Sequence, residues 1–210
     1  MRTIERTLAI FILATVLATH AHALEGNPKA ISLYWGQGVD SDLLQLPGDF
    51  LNNDLVYEAS YLTALSYLQP LPTPAPVQSV FDWLYLPGTQ TGLEGILVKH
   101  FGLQENWEVD LAYFLQFRGW DLGPISARPG FAIGLSYAFG TPSYEDGPID
   151  DPDRRYKFQS FQAYEIEWSA RQSARLALFT RVHHRSGIYG VIAPRRVGSN
   201  FVTAGIRFAL

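Results

Sequence analysis

The residues whose types and spacing best suit chemistry are His184 and Ser186, within Arg181-Val182-His183-His184-Arg185-Ser186-Gly187. If that segment is a β-strand, residues two apart leave the same face and their side chains are neighbours. An imidazole beside a hydroxyl makes a base and its nucleophile: the ring takes the Oγ proton as the oxygen attacks an acyl carbon. With no cysteine in the chain, thiol nucleophiles, thiolate metal sites and disulfides are excluded. His-x-Ser also arises by chance, and strand ends emerging among headgroups are often polar. Spacing alone therefore leaves the catalytic and the structural reading both open.

The element that must position this pair is a strand, because the chain alternates with period two almost throughout. Across 106–118, Trp107, Val109, Leu111, Tyr113, Leu115 and Phe117 share one face, while Glu108, Asp110, Gln116 and Arg118 lie on the other. Across 129–139, Phe131, Ile133, Leu135, Tyr137 and Phe139 oppose small residues such as Ala132, Gly134 and Ser136. Across 158–168, Phe158, Tyr164, Ile166 and Trp168 oppose Glu165 and Glu167. Leu176, Leu178 and Val182 oppose Arg175 and Arg181, and a last strand sets Val202, Ala204, Ile206, Phe208 and Leu210 against Thr203, Gly205 and Arg207. Weaker patterns near 29–38, 55–68 and 91–103 bring the expected number to eight strands. Turn signals separate them at 103–106, at Gly123-Pro124 and at 142–153. The proline-rich run at 70–76 predicts an extended linker.

Composition decides which face meets water. The 210 residues are 47% hydrophobic and 14% aromatic but only 17% charged, with a net charge of -4. The chain is too apolar for disorder, and its charge gives no reason to expect nucleic acid as a partner. Residues 1–23 combine Arg2 and Arg6, the apolar run 8–18 and Ala21-His22-Ala23, the pattern of a cleaved signal peptide. Strands of about ten residues, aromatic residues at strand ends (Tyr57, Tyr67, Trp107, Tyr156, Trp168) and opposite charges on one face fit a membrane barrel. Glu58, Glu108, Asp110, Glu165 and Glu167 are expected to pair inside with Arg118, Arg175, Arg181 and Arg207. The expectation is thus an all-β, eight-stranded antiparallel transmembrane β-barrel over 24–210. Its termini are periplasmic, 39–54, 144–155 and 188–198 are extracellular loops, and 170–172 is a periplasmic turn. A secreted soluble β-protein is the rival architecture. Parity sends His184 and Ser186 outward and His183 and Arg185 inward. Outward polar groups are costly in lipid but cheaper near the interface, where a lipid substrate can dock sideways.

The signal sequence, the strand pattern and His184-Arg185-Ser186 near the top of the seventh of the eight expected strands resemble the outer-membrane lipid A 3-O-deacylases (PagL-type, acyloxyacyl hydrolase-like). The match is specific over roughly the last thirty residues. It implies a serine esterase that removes an ester-linked acyl chain from lipid A, with Ser186 as nucleophile and His184 as general base. Asn200 stands where the family has its acid, on the same outward face, and Asn can orient an imidazole. Gly187 stands where the family has Asn, so backbone N–H groups of Gly187 and Gly190 are the expected oxyanion donors. Arg185, Arg195 and Arg196 are the expected contacts to lipid A phosphates, or else a basic patch facing an anionic leaflet. The implied partners are lipopolysaccharide and the outer membrane, and the mechanism calls for no metal and no cofactor. A non-catalytic barrel is the alternative function. Elsewhere, the acid-rich run 145–153 reads as a solvated loop before a cation site, and His100 reads as structural and near an interface. His20 and His22 belong to the signal segment, and Gly36-x-Gly38 is no phosphate loop.

Overall fold

The structure, a computed structural model, describes residues 28–170 and 175–210. The expected signal peptide lies outside the described residues, as does most of the expected turn at 170–172. Among the described residues the chain forms β1 (Ala30–Val39), β2 (Tyr57–Leu71), β3 (Gln90–Gly102), β4 (Trp107–Gln116), the short β5 (Trp120–Leu122), β6 (Ile125–Phe139), β7 (Phe158–Ala170), β8 (Leu176–Ser186) and β9 (Gly198–Ala209). Neighbouring strands pair antiparallel, β9 pairs back onto β1, and β4 pairs β6. Eight long strands therefore close into a barrel with no free edge, and β5 is a three-residue addition to β6. Loops 40–56, 103–106, 140–157 and 187–197 gather at one end. Loops 72–89 and 117–124 lie at the other.

Alternation dictates what each face meets. On β4, Leu111 is 55% exposed while its neighbour Asp110 is 1% exposed. The same contrast holds around the wall: Leu33, Trp35, Leu65, Leu97, Ile133, Ile206 and Phe208 face out, whereas Glu94, Glu108, Glu165, Arg181, Arg185 and Arg207 are buried inside. The apolar rows do not pack against one another, which removes the soluble-sandwich reading; this is the inside-out pattern of a barrel immersed in lipid. Tyr57 and Trp107 lie exposed toward the loop-rich end and Tyr67 and Trp168 toward the other, as two interfacial girdles would.

The interior is an ion-pair lattice. Arg181 reaches Glu94 at 3.1 Å and Glu165 at 2.7 Å; Arg207 reaches Glu165 and Glu167, each at 2.6 Å; Arg128 reaches Glu167 at 2.5 Å. Rings fill the space between, with the Arg181 guanidinium over Tyr34 and Phe179 and that of Arg207 over Phe114 and Phe179. Four expected members drop out. Among the described residues Asp110 reaches no arginine, its nearest basic group being His183 at 4.0 Å. Arg118 and Arg175 are exposed beyond their strand ends, and Glu58, half-buried at the outer end of β2, makes no ion pair among the described residues. The proline-rich run also departs from the expected linker. β2 continues to Leu71, and helix α2 (Ala75–Trp83) starts immediately after Pro74. Pro76 sits in the first turn, where a helix has no use for the missing N–H. Helix α1 (Leu46–Asn52) lies in the first outer loop.

Candidate functional site

Register brings the candidate residues together at the loop-rich end of the wall. His184 on β8 lies opposite Asn200 on β9 and Gln162 on β7, and Ser186 lies opposite Gly198 and Ser160. His183 and Arg185 are fully buried, so the outward parity of His184 and Ser186 holds. Nδ1 of His184 and Oδ1 of Asn200 are 2.7 Å apart. The amide is oriented from its other end, where Nδ2 donates to the Ser41 carbonyl at 2.8 Å. Oδ1 can only accept, so Nδ1 carries the ring proton and Nε2 keeps its lone pair. That is the tautomer a general base requires. Loop 40–56 thereby helps hold the imidazole, through Ser41.

Ser186 is held differently. Its carbonyl accepts from Ser160 Oγ at 2.9 Å, and the two hydroxyl oxygens are 3.2 Å apart. The Ser160 proton is committed to that carbonyl, so the Ser186 hydroxyl donates to Ser160 rather than to His184. The Ile188 N–H points at Ser186 Oγ from 3.4 Å. Among the described residues no hydrogen bond joins Ser186 to His184, so the Ser186 hydroxyl must turn from Ser160 before its proton can reach the imidazole. Ser160 and Gln162 were missed from the sequence. The signal was there, since both continue the outward row of Phe158 and Tyr164, but the register that sets them beside Ser186 and His184 is not encoded locally.

The loop after Ser186 folds tightly. Gly187 is buried, and its carbonyl accepts from the N–H groups of Ile192 at 3.0 Å, Ala193 at 3.2 Å and Gly190 at 3.3 Å. The expected oxyanion role of Gly190 is therefore corrected: its N–H is spent inside the loop. A Cβ on Gly187 would come within 2.1 Å of the Ala193 carbonyl oxygen, so the turn admits only glycine. Gly187→Ala should loosen loop 187–197 while leaving the barrel closed. Faster tryptic cleavage after exposed Arg195 and Arg196, with unchanged heat-modifiable migration on gels, is the expected result.

Arg185 is also corrected. It is fully buried, bonded to Glu145 and, at 2.8 Å, to the Lys157 carbonyl, with Glu108 at 3.4 Å from Nε. Inward parity puts its guanidinium in the lumen, away from any lipid phosphate. Arg195 and Arg196 are exposed on loop 187–197. The acid-rich loop is not wholly solvated either: Glu145 inserts into the barrel mouth, 1% exposed, against Arg185 and Gln159. Burial pushes its carboxyl above the usual carboxylate range, with Arg185 opposing the rise. His100 is structural, but inside the barrel rather than at an interface, bonded to Glu108 at 3.1 Å and Gln104 at 2.8 Å. Gly36 and Gly38 belong to β1, where a Cβ would strike Thr203 or Tyr144.

Among solved structures, the chain is similar to the outer membrane enzyme PagL at 8% identity, with a TM-score of 0.52 over 86% of this chain and 99% of that one. The fold is that of an eight-stranded outer-membrane β-barrel. Neisserial surface protein A (9% identity, TM-score 0.49, 89% and 100% coverage) and the N-terminal β-barrel domain of Pseudomonas aeruginosa OprF (10% identity, TM-score 0.48, 89% and 100% coverage) are also similar. No protein-family model matches the chain, and no curated protein does.

Proposed function

We propose that this protein is an outer-membrane esterase, exported by a cleaved signal peptide at 1–23, that removes the ester-linked acyl chain at position 3 of lipid A. The observation that carries the reading is the 2.7 Å contact between His184 Nδ1 and Asn200 Oδ1 on the outward face, with Ser186 two residues along. Ser186 Oγ attacks the acyl carbon and gives its proton to His184 Nε2. The tetrahedral intermediate then collapses, and the imidazolium returns that proton to the departing sugar oxygen. Water, deprotonated by the same ring, releases the fatty acid. The Ile188 N–H, already aimed at Ser186 Oγ, replaces Gly190 as a donor to the oxyanion beside Gly187. Arg195 and Arg196 meet the phosphates of the headgroup.

Mass spectrometry of lipid A from cells expressing wild type or Ser186→Ala tests this. With both proteins heat-modifiable in the outer membrane, only wild type should yield a species lacking one hydroxyacyl mass. The second reading, a non-catalytic barrel, is favoured by the Ser186 hydroxyl turned to Ser160, and it requires identical spectra. Within the esterase reading, Asn200→Leu should lower turnover about 100-fold by freeing the ring. Asn200→Asp keeps the acceptor and should stay within about tenfold of wild type. Initial rates on a lipid A micelle would show it, and equal rates for Asn200→Leu and wild type would remove Asn200 from the site.

A further inference from the structure

The lumen divides into two electrostatic halves. Toward the inner end, Glu94, Glu165 and Glu167 face Arg128, Arg181 and Arg207, three carboxylates against three guanidinium groups. Toward the outer end, Glu108, Asp110 and Glu145 face Arg185, three against one. His100 does not make up the difference as it is oriented: Gln104 Nε2 donates to its Nδ1, so its Nε2 carries the one proton and donates to Glu108. With all three carboxylates ionised, two negative charges would stand uncompensated in a region sealed from water, a situation burial penalises heavily.

Among the described residues neither oxygen of Asp110 has a hydrogen bond of ordinary geometry, although the residue is 1% exposed and Ser136 lies opposite it on β6. The Asp110 oxygens point to where Glu108, two residues back on the same face of β4, meets His183 of β8 across the lumen. One ligand atom from each of the three residues lies within 4.8 Å of the others, and His183 Nε2 is 2.8 Å from Glu108 Oε1 and 4.0 Å from Asp110 Oδ2. The surroundings orient these atoms. As it stands, His183 Nε2 donates to Glu108 and Nδ1 faces Tyr34 Oη at 3.4 Å; a ligating Nε2 requires that proton on Nδ1, where Tyr34 Oη can accept it. The other Glu108 oxygen is held by His100, with Arg185 Nε 3.4 Å away.

We propose that Glu108, Asp110 and His183 hold a divalent metal ion inside the barrel. Its two charges balance the outer half of the lumen, and it supplies the partner that Asp110 lacks. One imidazole and two carboxylates suit a borderline ion such as Zn²⁺, whose bonds of about 2.0–2.2 Å would draw the three side chains together in place of the Glu108–His183 hydrogen bond. The site is independent of the esterase reading, because its residues point inward and His184 and Ser186 point outward. Since all three side chains are sealed from solvent, the ion enters as the barrel folds.

The mature barrel is therefore refolded in micelles with and without Zn²⁺, stripped of loose metal by a chelator column, and assayed for metal by mass spectrometry. One zinc per wild-type barrel is expected, less than a tenth of that in Asp110→Asn and His183→Gln, and one in His184→Ala. Wild type emerging without zinc, or Asp110→Asn and His183→Gln retaining it in full, overturns the proposal and leaves protonation to balance the charge. Where a variant fails to reach the heat-modifiable form, X-ray absorption on loaded wild type decides. Imidazole scattering at the zinc supports the site, and an all-oxygen shell overturns it.

Discussion

Purified Ser186→Ala and His184→Ala barrels should each cleave a lipid A ester roughly 10⁴-fold more slowly than wild type, and the double variant should be no slower than either. The expectation follows from one proton. Serine at its ordinary pKa is a poor nucleophile, so Ser186 without the imidazole is inert, and the imidazole without Ser186 has nothing to activate. Two residues acting as one unit lose their effect together, which is why the losses do not add. KM should change little if, as the proposed reading has it, acyl chains lie along the wall where Val182 pairs Val202, which neither substitution touches. Initial rates in mixed micelles, normalised to the heat-modifiable fraction, check this. Additive losses would mean that His184 and Ser186 act separately. Full activity in Ser186→Ala would remove it as the nucleophile.

The barrel was legible because lipid outside and ion pairs inside select the same alternation. Leu111 and Asp110 are adjacent in sequence and on opposite sides of the wall. Where both faces are apolar the pattern fades. Around Glu94 the inward row continues as Ile96 and Val98, and Glu94 was overlooked although it anchors Arg181. Helix α2 was hidden by prolines that read as extended chain until their places at its first turn are known. The candidate site divides along the same line. His184 and Ser186 share one strand, so period two relates them, and the resemblance with parity put Asn200 on the same outward face, while the register that sets it opposite His184 comes from the β8–β9 pairing across loop 187–197. Ser160 could not be placed, because its register against β8 is set by the pairing along both strands and by no local signal. Arg185 shows how a resemblance can overrule physics wrongly. Parity sent it inward, while its position next to His184 invited a phosphate contact; inside, it holds Glu145 instead.

Arg181→Met should destabilise the barrel by roughly 3–5 kcal/mol, the largest stability effect of any single substitution proposed. Arg181 is 1% exposed and bridges β8 to β3 and β7, contacting both oxygens of Glu94 at 3.1 Å and Glu165 at 2.8 Å. Glu165 keeps Arg207 after the change, but Glu94 keeps only the Ser66 hydroxyl at 2.8 Å, leaving a buried carboxylate without a cation. Removing the orphaned charge should repair most of the damage. Arg181→Met with Glu94→Gln retains an acceptor for Ser66 and buries no unpaired ion, so its urea midpoint in micelles should recover more than half of the loss. If the double variant were as weak as the single, the cost would lie in lost packing against Tyr34 and Phe179 rather than in charge. Activity per folded barrel separates the two faces of β8. Arg181 points inward and His184 outward, so the surviving folded fraction of Arg181→Met should turn over at the wild-type rate. A rate that fell with the interior pair intact elsewhere would mean that the lumen lattice sets the register on which the His184–Asn200 contact depends.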